Sequence, residues 1–269
     1  MRKGINIILF MLLSTLCSWS SEIVSDSLDI FLFLGQSNMA GYGDIKFEDR
    51  VDISGAYVLR ASEPTNGVYS WQHAHQPFNV GLPSYRFSLA GPFLKSHRQM
   101  YPDVKVGAVS KAWGGAAIRP MSKGTPFYQE IIRQALWAKQ SGRLKAILWH
   151  QGESDTVTPE LADSYADNLE KLIKDLRADL GMPDLPFIIG DLAEFYGTHK
   201  EHAAPDRVKR IHQVREALKN MPNRLHNVSF VPSTGLVSYD EHQVHFDRNS
   251  YIIFGNRFFD CYWSNYCEK

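Results

Sequence analysis

Short apolar runs along this chain alternate with longer stretches in which apolar residues recur every three or four positions. Five runs read as buried strands: Ile30 to Leu34, Val104 to Val109, Ala146 to Trp149, Phe187 to Ile189 and Val228 to Val231. Between them, Phe127, Ile131, Gln134, Ala135 and Ala138 share one helical face. Leu161, Tyr165, Leu169, Leu172, Leu176 and Leu180 make a longer stripe, with Thr158 as its N-cap and Pro159 at the first helical position. Another helix is expected after Pro205, and a last one from about Asn249 to Phe259. Strands alternating with helices predict an α/β fold, with a parallel sheet covered on both faces. The region from Gly41 to Leu82 contains Pro and Gly and reads as a loop-rich insertion. Without internal repeats or a long linker, residues 21–269 read as one domain.

The first residues change the picture. Arg2 and Lys3 precede an almost wholly apolar run, Ile5 to Leu16, and small residues follow in Ser18-Trp19-Ser20. This pattern predicts a secretory signal over residues 1–20, too short for a comfortable membrane span, and hence a secreted or periplasmic protein. Cys17 offers a lipoprotein alternative, which Leu16 before it fits poorly. Removal of the signal leaves Cys261 and Cys267, an even pair that predicts a disulfide in an exported chain. The 29 basic and 29 acidic residues balance without a basic block, so neither nucleic acid nor an anionic membrane is an expected partner.

Three of the apolar runs end in chemistry-bearing residues. The first ends in Gly35-Gln36-Ser37, the second runs on to Trp113-Gly114-Gly115, and the third ends in His150-Gln151-Gly152-Glu153-Ser154-Asp155. In a parallel sheet these ends share one edge, where ligands bind. Ser37 is the candidate nucleophile. Its own N–H, the glycine pair and the Gln151 amide are candidate oxyanion donors. A serine nucleophile needs a base, and His245, between the last strand and the last helix, returns to the same edge. Met39 stands where a Gly-x-Ser-x-Gly elbow would have its second glycine, which disfavours that hydrolase class.

Gly35-Gln36-Ser37-Asn38-Met39, Gly114-Gly115, Gln151-Gly152-Glu153-Ser154 and His245-Phe246 together resemble the SGNH (GDSL-type) hydrolases. Within them the chain is most similar to the branch of carbohydrate esterase family 6 and the sialate O-acetylesterases. The resemblance implies a three-layer α/β/α sandwich around a flavodoxin-like parallel sheet of about five strands. It also implies hydrolysis of carbohydrate acetyl esters without a metal or other cofactor. Carried onto this sequence, it makes Ser37 the nucleophile and His245 the base, with Ser37, Gly114 or Gly115, and Gln151 around the oxyanion. Gln36 and Asn38 become candidate substrate contacts. The family usually has an aspartate three residues before the histidine, where this chain has His242. Glu153 is therefore the first candidate for the orienting acid, Asp240 the second, and a backbone carbonyl the third.

Two other readings compete. His73, His75, His242 and His245 with Glu153 and Asp155 offer metal ligands, but a helical His-Glu-x-x-His is missing. A carbohydrate-binding relic without turnover would equally use Trp71, Tyr85, Trp113 and Phe195 to stack on sugar rings, although core packing is the commoner role of such aromatics. Acetylated polysaccharides such as xylan and O-acetylated sialic acid both remain open as substrates. Selectivity would lie in the loops Gly41 to Leu82 and Asp191 to Ala204.

Overall fold

A computed structural model describes residues 28–63, 68–79, 86–239 and 241–267. The expected signal at 1–20 with Cys17, the aromatic Tyr85 and the acid Asp240 lie outside the described residues.

Strand β1 (Leu28–Gly35) is buried at every position but Asp29, as a strand covered on both faces must be. Around it the chain builds β2 (Ala56–Glu63), β3 (Val68–His73), β4 (Val106–Ala112), β5 (Gly142–His150), β6 (Phe187–Gly190) and β7 (Val228–Val231). The helices are α1 (Ser37–Ala40), α2 (Ala90–Met100), α3 (Pro126–Ala138), α4 (Pro159–Asp179), α5 (Pro205–Arg224) and α6 (Arg248–Tyr266). One seven-stranded sheet runs in the order β3-β2-β4-β1-β5-β6-β7. All neighbours are parallel except β2 and β3.

Five of these strands, β4-β1-β5-β6-β7, carry the expected flavodoxin-like order, and the fold is the expected three-layer α/β sandwich. The strand number is a correction. Gly41 to Leu82 is not simply loop, because it holds the hairpin strands β2 and β3, which extend the sheet beyond β4. Phe31 and Phe33 of β1 meet Phe93 of α2 edge-on at 4.7 and 5.5 Å, and Phe31 also meets Tyr262 of α6 at 4.9 Å. Each such buried phenylalanine contributes about 1.5–3 kcal/mol relative to exposure. On the opposite face, α4 packs along α5, with Leu169, Leu172, Leu176 and Leu218 buried. Among the described residues no helix is long and apolar enough to cross a membrane.

The expected disulfide is not formed, and Cys261 and Cys267 are both free thiols. The reason is geometric. Cys261 lies within α6 and Cys267 caps its C-terminus, so six residue steps along the helix separate them. That is a rise of about 9 Å, beyond the ~7 Å Cα separation that a disulfide spans. Burial pushes the Cys261 thiol up.

Candidate active site

The site begins where β1 and β5 end side by side. A Cβ on Gly35 would lie 2.0 Å from the His150 carbonyl oxygen, and Gly35 has φ +149°, so glycine alone lets these strand ends touch. Gln36 N–H donates to that same carbonyl at 3.0 Å. The chain then turns into α1, whose first residue is Ser37. A first-position amide has no partner within its own helix. The Gln36 side-chain oxygen accepts from Gly152 N–H (3.3 Å) and Gln151 Nε2 (3.2 Å), tying the two strand ends together.

The segment after β4 closes a second side. Trp113 N–H donates to the Gly35 carbonyl at 2.9 Å, which aligns this loop with the end of β1. Gly115 has φ +74° and nothing within 4 Å of a built Cβ, so the backbone conformation, not space, calls for glycine there. The β5 loop holds this turn from below. Ser154 Oγ donates to the Gly115 carbonyl (2.9 Å), and Ile118 N–H donates to both Asp155 carboxylate oxygens (3.2 and 3.1 Å).

Gln151 corrects an expectation. Its side chain is fully buried and its Nε2 faces three internal acceptors: Asp155 Oδ2 (2.5 Å), the Ala116 carbonyl (3.1 Å) and Gln36 Oε1. An amide has two hydrogens, so none is left for an oxyanion. Gln151 braces the glycine turn instead.

Burial pushes the Asp155 carboxyl up to about 6, the Gln151 and Ile118 donors pull it down, and the Glu153 charge raises it further. An acid with a raised folded-state value stabilises the fold fully below its unfolded value near 3.8 and loses that contribution as pH rises through about 6. Asp155→Asn, neutral at every pH, should therefore flatten the fall in unfolding free energy between those limits. The expected difference is on the order of 3 kcal/mol, read from urea denaturation across that range. An unchanged slope would remove Asp155 as its source.

The third side is the loop between β7 and α6, and Asn38 anchors it. Asn38 is fully buried. Its Nδ2 donates to Glu153 Oε1 (2.7 Å) and the Val244 carbonyl (3.0 Å), while its Oδ1 accepts from Phe246 N–H (3.2 Å) and Tyr251 O–H (2.9 Å). All four hydrogen-bonding positions of the amide are filled. Asn38 therefore does not contact substrate as expected; it joins the turn carrying Ser37 to the segment carrying His245. The His245 carbonyl accepts from Tyr239 N–H (2.8 Å) and Ser238 Oγ (3.2 Å). Its imidazole stacks on Tyr42, centroids 4.0 Å apart and planes 6° from parallel.

Ser37, Gly114, Gly115, Glu153 and His245 all line one cleft, and Gln36 lies at its wall. Glu153 is 3 % exposed, with Oε1 on Asn38 and 3.8 Å from His150 Nδ1. Its Oε2 has no hydrogen-bond partner among the described residues. Sequence reasoning missed the cleft residues Tyr42, Tyr196, His202 and Arg207. Arg207 Nη2 donates to the Tyr196 hydroxyl (2.9 Å), which donates to the Glu153 carbonyl (3.1 Å). Arg207 Nε is buried without a partner among the described residues. Its only signal in the sequence was a place in the first turn after Pro205. Of the expected sugar-stacking aromatics, Trp113 is 45 % exposed beside the glycine turn, while Trp71 and Phe195 pack against the core.

Known proteins resemble this chain over most of its length. A probable carbohydrate esterase of Arabidopsis thaliana is 30 % identical over 257 residues, 88 % of this chain and 91 % of that protein. The crystal structure of an Arabidopsis thaliana protein covers 90 % of this chain and 100 % of its own, with a TM-score of 0.77 at 28 % identity. The structure of NanS, 16 % identical, covers 91 % of this chain and 99 % of its own at a TM-score of 0.69. A carbohydrate acetylesterase from Xanthomonas citri, 18 % identical, covers 87 % of this chain and 56 % of its own at 0.63. The family model described as carbohydrate esterase, sialic acid-specific acetylesterase, matches residues 27–264. With that match spanning all of β1 and running almost to the end of α6, the chain belongs to this family of carbohydrate esterases.

Proposed function

We propose that this chain is an exported serine esterase that removes O-acetyl groups from carbohydrates through an acyl-serine intermediate. The observation that carries the reading is convergence. Ser37, Gly115 and His245 come from three distant segments and line one cleft, with Ser37 after β1 and Glu153 after β5. The chain reverses its winding direction between those two strands, and such a switch point is where open α/β sheets bind ligands. Export rests on the leader pattern of residues 1–20.

In this reading His245 accepts the Ser37 proton as Oγ attacks the acetyl carbonyl. The Ser37 N–H and an N–H of the Gly114-Gly115 turn stabilise the oxyanion as the tetrahedral intermediate forms. His245 protonates the departing sugar hydroxyl. Water then gives a proton to His245 and attacks the acyl-serine, releasing acetate and restoring Ser37. Glu153 is the acid proposed to support His245. It is the carboxylate in the cleft, its Oε2 is open to a donor, and through Asn38 it braces the backbone on both sides of His245.

Acetylated polysaccharide such as xylan is the first substrate class of this reading. An acidic sugar such as O-acetylated sialic acid is the second, favoured by one observation: Arg207 brings a guanidinium to the cleft, its Nε without a partner among the described residues. Acetate release over acetylated xylan, O-acetylated sialosides and a neutral aryl acetate tests both. Release from an aryl acetate and at least one carbohydrate is expected. Arg207→Ala should lower kcat/KM on the sialoside by about tenfold or more and leave the aryl acetate unchanged. No release from any substrate would overturn the esterase reading in favour of a binding relic.

A further inference from the structure

We propose that His199, Glu201 and His242 form a zinc site that clamps the loop between β6 and α5 to the loop that carries His245. One ligand atom from each residue lies within 4.8 Å of the other two. Glu201 Oε2 is already 3.2 Å from His242 Nδ1, and the two imidazoles stand edge to face with centroids 5.7 Å apart. Tetrahedral zinc with bonds of about 2.0–2.1 Å holds its ligands about 3.4 Å apart. His199 is half-buried and the other two are exposed, so side-chain rotation alone can close that difference. Two imidazoles and one carboxylate match the donors zinc takes, and they leave a fourth position for water. Glu241 Oε1, 3.9 Å from His242 Nε2, adds a second negative charge beside the site.

The place makes the clamp consequential. The same two loops already meet through a hydrogen bond between Thr198 and Gln243. His242 is three residues before His245, and His202 of the other loop lines the cleft. A metal here would fix the span that ends in His245 from its outer side, while Asn38 fixes it from within. The metal reading of the sequence combined His73, His75, His242 and His245 with Glu153 and Asp155. Among the described residues the grouping that forms keeps only His242 of these and joins it to His199 and Glu201.

Titration calorimetry with zinc chloride on EDTA-stripped protein tests the site. One saturable zinc per chain is expected. His199→Ala, His242→Ala and Glu201→Gln should each weaken binding by about tenfold or more, and His245→Ala should leave it unchanged. All three ligand residues are at the surface, and circular dichroism checks that the variants fold. Zinc should raise the melting temperature of the parent protein but not of His199→Ala. Absence of saturable binding, binding insensitive to the three variants, or binding lost with His245→Ala would each overturn the proposal. None of these readouts depends on acetate release, so the zinc site and the esterase reading stand or fall separately.

Discussion

Ser37→Ala is expected to lower acetate release by roughly 10⁶-fold in kcat, the scale on which loss of a serine nucleophile acts in enzymes of this chemistry. The whole acyl-enzyme route passes through Ser37 Oγ, so nothing else in the cleft can replace it. The backbone donors of the glycine turn remain, and a residual acceleration of about 10³–10⁴ over water can persist from them and from binding. Stability should hardly move, because the change removes a single hydroxyl that lines the cleft and leaves the backbone of α1 as it is. Substrate should still bind, since the cleft walls are unaltered. The measurement is acetate release under saturating substrate, paired with equilibrium binding of an acetylated sugar. Activity at a tenth of the parent level would remove Ser37 as nucleophile. Binding lost along with activity would instead point to a collapsed cleft.

How far the sequence revealed the fold depended on how local each signal was. β7 matches its apolar run residue for residue, and α4 begins where Thr158 and Pro159 indicated, with the Thr158 hydroxyl accepting from Leu161 N–H. Those signals are complete within a few residues. The hairpin of β2 and β3 was hidden because edge strands are only half covered. Val68 is 51 % exposed, and Arg60 interrupts the apolar pattern of β2. That arginine is held by the Pro77 and Phe78 carbonyls, and burial pulls its guanidinium down to about 10. α2 was hidden because it begins Ala90-Gly91-Pro92, which reads as a turn.

At the site, strand ends were enough to bring Ser37, the glycine pair, Glu153 and His245 to one edge. They were not enough to orient side chains. α1 is a single turn, so a step of one residue separates Ser37 in the cleft from Asn38 sealed behind it, and no periodicity exists to tell them apart. The same holds for Gln151, one residue beyond β5. Contacts between distant loops, such as Tyr42 on His245 or His242 beside His199, leave no trace in any window of sequence.

Asn38→Ala is expected to reduce both stability and turnover, and Asn38→Asp separates the causes. Truncation removes the hydrogen bonds that Asn38 makes with the Val244 carbonyl, Phe246 N–H, Tyr251 O–H and Glu153. Removing one partner of a buried hydrogen bond costs about 1–3 kcal/mol where the other is left unsatisfied. Partial relaxation around the gap makes about 4 kcal/mol a reasonable total. The freed segment carries His245, and a displacement near 1 Å at a reacting group costs about 10²-fold in rate, so kcat should fall by that order while KM changes little. Asn38→Asp keeps the acceptor for Phe246 and Tyr251 but loses both donors and sets a second carboxylate against Glu153. Like charges in contact raise the proton affinity of the pair in the folded state. The folded protein then holds a proton that the unfolded chain has released, so stability falls as pH rises and recovers as pH is lowered. Urea denaturation at pH 5 and pH 8 should therefore show Asn38→Asp much closer to the parent at the lower pH, with Asn38→Ala equally impaired at both. A pH-independent Asn38→Asp would mean that the 2.7 Å contact with Glu153 does not exist in solution. A loss of stability with unchanged kcat would mean that the amide holds the fold together without placing His245.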